Sequence, residues 1–129
     1  MFAEYAITSG LLANPSTVWY GFHTDHDFAY LLKTISGEES IPEDSNTFLK
    51  HLAVWFPTIY DLKSAARYTD DPTLQGGLAK LAYSLCVSRD DDCEHQAGSD
   101  SKLTARCFFA LRKEYETSLE DTKGQVYPL

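Results

Sequence analysis

Two stretches of the chain carry residue types that could do chemistry. In the first, His95 and Asp100 lie five positions apart, with Ala97-Gly98-Ser99 between them. Asp100 stands directly before a helical pattern that runs over 101–117. It therefore falls at or just inside a helix N-terminus, where unpaired backbone N–H groups favour a negative charge. His95 lies a short loop earlier and can reach over the same spot. A carboxylate that holds a divalent metal, beside a histidine that takes a proton from water, is half of a hydrolase site. An Asp helix cap and a surface histidine account for the same residues without chemistry.

The second stretch is Trp19-Tyr20-Gly21-Phe22-His23-Thr24-Asp25-His26-Asp27-Phe28-Ala29-Tyr30-Leu31-Leu32. Its β-branched and aromatic start reads as a short buried strand over 17–22. A helix over 27–36 follows almost at once, opened by Asp25 or His26. Asp27 is thus held near the C-terminal end of a strand, where ligand sites of α/β folds gather. The plain alternative is a first-turn acid that complements the helix dipole.

The elements that must position these residues follow from periodicity and punctuation. Residues 2–12 are apolar at helical spacing through Phe2, Tyr5 and Ala6, Gly10 stands close to a C-terminal stop, and Asn14-Pro15-Ser16 is a turn. The helix over 27–36 turns Phe28, Leu31, Leu32 and Ile35 to one face. A polar loop over 37–45 leads to a helix over 47–55, capped by Ser45 or Asn46, with Phe48, Leu52 and Trp55 inward. Pro57 ends it. A second strand spans 58–62, closed by Asp61, which reads either as a helix-capping acid or as one that supports the ligands of the site without binding the metal itself. One or two helical turns over 63–68 and a loop over 69–73 come next. The helix over 78–85 faces inward through Leu78, Leu81, Ala82 and Leu85. An acidic loop over 88–94 carries Asp90-Asp91-Asp92. The last helix buries Leu103, Cys107, Phe108 and Leu111, and the tail after Leu119 reads as extended or frayed. Strands alternating with helices imply an α/β fold with parallel pairing.

Bulk properties narrow the class. The chain has 129 residues, 43% hydrophobic and 13% aromatic, which fits one globular domain or part of one, not a disordered chain. No apolar run reaches about 18 residues, so no membrane span is expected. A basic region followed by an apolar stretch, the mark of a signal peptide, is missing from the start. Three cysteines, Cys86, Cys93 and Cys107, fit reduced thiols of an intracellular protein. The net charge of −8 argues against gripping nucleic acid by a broad basic surface. It is compatible with an RNA enzyme whose acidic site is neutralised by metal ions.

Together the two stretches resemble the second and third motifs of the DEDD 3′→5′ exonucleases. More closely, they resemble the Caf/Pop-type poly(A) deadenylases, catalytic subunits of the Ccr–Not complex, whose matching segments read close to FHSGYDFGYL and HQAGSDSLLT. The likeness extends to Phe56-Pro57-Thr58-Ile59-Tyr60-Asp61-Leu62-Lys63, to Gly76-Gly77-Leu78 and to the opening from Phe2 to Leu12. It covers almost all of residues 1–129, but only the later half of the family's catalytic domain. It implies an RNase H-like exonuclease fold that lacks its N-terminal strands, with helices packed on a small sheet.

The resemblance implies that Asp27 and Asp100 are two of four metal-binding acids and that His95 is the general base. Two divalent ions, Mg2+ or Mn2+, and a poly(A) RNA substrate come with it. So do the scaffold and second deadenylase subunits of the complex, a site of action in cytoplasm and nucleus, and no membrane partner. The segment from Phe2 to Leu12 resembles the region near which the scaffold docks. The family's other two acids form an Asp-x-Glu pair upstream of every matched segment. Asp92-Cys93-Glu94 is the one such pair here, and it sits in the acidic loop, not on a strand. Low activity of the isolated chain is therefore expected, and the alternative is an inactive remnant that serves as a protein-interaction module. Asp25 and Ala29 stand where the family has Gly, His26 where it has Tyr, and Lys102 where it has Leu.

Overall fold

The computed structural model describes residues 2–37, 41–89 and 97–129. Helix α1 (Phe2–Thr8) leads to strand β1 (Trp19–Gly21) and helices α2 (Asp25–Ser36) and α3 (Ser45–Trp55). Strand β2 (Ile59–Asp61) and helix α4 (Leu62–Tyr68) follow, then a 3-10 turn at Pro72–Leu74, α5 (Leu78–Ser84), α6 (Ala97–Glu114) and α7 (Glu116–Asp121). The two strands pair in parallel, with Trp19 opposite Ile59, Tyr20 opposite Tyr60 and Gly21 opposite Asp61. No helix among the described residues is long and apolar enough to cross a membrane.

Strand alternation explains the layering. Successive strand residues point to opposite faces, so the sheet serves two cores. Trp19 and Ile59 join Phe28, Leu32, Phe48 and Leu52 from α2 and α3. Tyr20 and Tyr60 join Leu81, Leu103, Cys107, Phe108 and Leu111 from α5 and α6. The Tyr20 ring stacks on Phe108 with centroids 4.4 Å apart and planes 3° apart, which fixes α6 against β1. Such a pair contributes about 0.5–1.5 kcal/mol beyond its buried area.

Several expectations are corrected. The cap of α3 is Asp44, whose carboxylate accepts the Thr47 N–H. Its extended backbone sets it one step ahead of the helical residues Ser45 and Asn46. Helix α6 begins four residues before Ser101 and stops at Glu114, and Tyr115 precedes α7. The tail is not frayed: Val126 is fully buried in the α2–α3 core, and the Gly124 N–H donates to the Ile59 carbonyl at 2.9 Å. A single apolar residue without periodicity gave no sign of this docking. Helix α1 ends at Thr8, and it leaves Phe2 and Tyr5 exposed.

Candidate active site

Parallel strands end on the same side, so Gly21 and Asp61 stand side by side where the chain turns into α2 and α4. A Cβ on Gly21 would lie 2.3 Å from the Thr24 methyl carbon, so only glycine lets the turn into α2 close this tightly. Asp61 holds the turn. Although 1% exposed, its carboxylate accepts from the His23 and Lys63 backbone N–H groups through Oδ1. Through Oδ2 it accepts from the Thr24 N–H and hydroxyl and from the Tyr127 N–H. Such a carboxylate is buried at tolerable cost because every bond satisfies part of its charge. The Thr24 hydroxyl is thereby drawn off its own helix, and α2 starts without a side-chain cap.

With the turn fixed, Asp27 occupies the third position of α2 and is exposed. Asp100 is the fourth residue of α6, in its first turn, and 37% of its side chain is exposed. Both acids line one cleft of about 570 Å³, together with Gly21, Phe22, Thr24 and Thr104. The carboxylates of the two separate stretches therefore line the same cleft. His95 lies outside the described residues, as do Asp92, Cys93 and Glu94.

One residue at the site gave no signal in the sequence. Arg89 Nη1 donates to Asp100 Oδ1 at 2.9 Å and also to the Ser99 hydroxyl. A lone cation before a run of acids carries no motif, and its partner lies eleven positions away across residues 90–96. Nearby, His23 adopts a left-handed backbone with φ of 57°, rare outside glycine. Its Nε2 stands 3.8 Å from Asp25, and its ring lies edge-on to Tyr127. Asp25 thus sits between His23 and His26, whose Nδ1 is also 3.8 Å away. His51 is exposed on α3. Cys107 is buried, and burial pushes its thiol up to about 11. A neutral thiol of this kind is core packing, not a nucleophile.

Hard divalent cations take oxygen ligands. Asp27 and Asp100 fit such an ion in donor type and in sharing one cleft. Among the described residues no group of three or more His, Cys, Asp or Glu could hold a metal.

A profile of the CAF1 family ribonuclease matches residues 18–108, which contain both strands and both carboxylates. The chain belongs to the CAF1 ribonuclease family. Over 129 residues it is 40% identical to probable CCR4-associated factor 1 homolog 7 of Arabidopsis thaliana, covering 99% of this chain and 46% of that protein. It is 38% identical to CCR4-NOT transcription complex subunit 7 of Caenorhabditis elegans, covering all of this chain and 41% of that one. The chain thus spans about half the length of the curated relatives it matches. The structure of S. pombe Pop2p with Mg2+ and Mn2+ bound superposes with a TM-score of 0.84 at 38% identity, over 99% of this chain and 50% of that chain. The RNase domain of yeast Pop2 shares the fold at a TM-score of 0.81 and 22% identity. The mixed α/β architecture, mostly helical around a small parallel sheet, is accordingly that of CAF1-family ribonucleases.

Proposed function

We propose that this chain serves in metal-dependent 3′→5′ shortening of poly(A) RNA, with Asp27 and Asp100 as cation ligands. The observation that carries the reading is that these two acids line one cleft. Family membership and the Mg2+- and Mn2+-bound Pop2p neighbour support it. When bound, the cation would lower the charge barrier at a phosphodiester and make water more acidic. The chain's own part is to hold the carboxylates rigidly. Asp61 fixes the start of α2, and the Tyr20–Phe108 stack fixes α6. In this reading His95 accepts the proton from the attacking water, a task suited to imidazole near neutral pH. The action is assigned to cytoplasm and nucleus on the resemblance alone.

A second reading is a protein-interaction module without catalysis. The observation that favours it is a strongly apolar groove of about 370 Å³ beside α1, lined by Phe2, Tyr5, Leu12, Trp19, Leu31 and Phe56. A scaffold subunit of the Ccr–Not complex is the partner proposed for it. A structural neighbour is the yeast CAF1 protein crystallised with the NOT1 MIF4G domain.

Incubation of the chain with a 3′-oligoadenylated RNA and Mn2+ separates the two. Stepwise 3′ shortening that is lost in Asp100→Ala supports the enzyme reading. Intact RNA at micromolar chain, with the scaffold domain still bound, selects the interaction module.

A further inference from the structure

We propose that Arg89 is the resident counter-ion of Asp100 and sets how tightly the cleft takes a divalent cation, by competing for that carboxylate. The proposal rests on the reading that the cleft takes a cation. Its basis is the geometry of three residues. Arg89 is the less exposed partner of the pair, 16% against 37% for Asp100, so its guanidinium is held against Asp100 with limited access to water. One nitrogen, Nη1, serves both Asp100 Oδ1 and the Ser99 hydroxyl. The guanidinium is thus anchored to two consecutive residues of the first turn of α6. Arginine stays protonated across the working pH range, so the pair persists wherever the carboxylate is ionised.

Competition follows from elementary electrostatics. An oxygen that accepts a charge-assisted hydrogen bond is a weaker donor to a metal, and a divalent ion brought onto the same carboxylate is repelled by the guanidinium. Cation binding must therefore share Asp100 with Arg89 or turn Arg89 away. Without a cation, the same contact keeps Asp100 from standing unpaired in the cleft that Asp27 also lines. Arg89 is a positioning residue in this account, acting on the ion only through Asp100. By thermodynamic linkage, what Arg89 does to the cation the cation does to Arg89.

The test is a Mn2+ titration of the folded chain, read by loss of the free-ion electron paramagnetic resonance signal. The Arg89→Gln variant is expected to bind Mn2+ on the order of tenfold more tightly than the parent, with Arg89→Lys in between. A second readout needs no variant: the Arg89 guanidinium resonance in a nitrogen-15 spectrum is expected to shift and sharpen on addition of Mg2+, as the side chain leaves Asp100. Equal or weaker Mn2+ binding in Arg89→Gln, or an unmoved Arg89 signal while Mg2+ binds, overturns the proposal and leaves the cation reading standing. No Mn2+ bound by parent or variant removes both. If Arg89→Gln does not fold, the Arg89 resonance alone decides.

Discussion

The Asp61 carboxylate accepts the Tyr127 backbone N–H at 2.9 Å, across 66 positions of sequence. This contact ties the C-terminal tail to the strand end on which the candidate site is built. The same carboxylate holds the starts of α2 and α4, so three separate segments converge on one buried charge. Asp61→Ala leaves those N–H groups buried and unpaired. It is expected to destabilise the chain by about 3–5 kcal/mol. Urea unfolding of both proteins, followed by circular dichroism, measures it. A change within about 0.5 kcal/mol, the usual range of surface substitutions, contradicts the role given to Asp61.

Gly21 and Thr24 form a testable pair. Gly21→Ala drives a methyl group into the Thr24 methyl carbon, 2.3 Å away, and is expected to cost about 1–3 kcal/mol. Thr24→Ser removes that methyl carbon and keeps the hydroxyl that donates to Asp61. The double variant should recover much of the loss, and additive effects in a double-mutant cycle would refute the close approach.

The placement of the candidate carboxylates, Asp27 near a strand end and Asp100 near a helix start, was legible in the sequence because local rules govern it. Asp27 follows a short aromatic strand, and Asp100 lies in the first turn of a long helix, although that helix starts earlier than its apolar pattern. The parallel pairing and the inward faces of α2 and α5 were legible for the same reason. Of the two readings open for Asp61, a helix cap or a support for the ligands, the cap is observed: the acid caps α4 through Lys63. Its bonds to His23, Thr24 and Tyr127 are long-range, and no local spacing encodes them. Arg89 was invisible for the same reason. The burial of Val126 was missed because one apolar residue has no period.

Cys107 gives a pH prediction. The core holds the neutral thiol, which burial pushes from its ordinary value of 9.0 up to about 11. Its contribution is intact below about 9 and falls as the pH rises toward 11. Stability measured by urea unfolding should decline over that window, and less so in Cys107→Ala. In the folded chain at pH 8, iodoacetamide should alkylate the exposed Cys86 and spare Cys107, as read by mass spectrometry. Equal labelling of both would show the α5–α6 core to be open.

Strand β1 pairs only with β2 among the described residues. Beside it Val18 and Phe109 are exposed at 45% and 58%. An unpaired edge next to apolar side chains recruits other chains. The sedimentation mass should rise with concentration over roughly 5–100 μM, and Val18→Lys should suppress the rise. A constant monomer mass over that range would count against an adhesive edge.

Whether Asp27 and Asp100 act on one ion is decided by calorimetric titration of Mn2+ into the chain. Saturable binding is expected, weakened by about tenfold or more in Asp27→Asn and again in Asp100→Asn, while the circular dichroism spectrum is unchanged. Mn2+ affinity that neither substitution alters would contradict a shared ion.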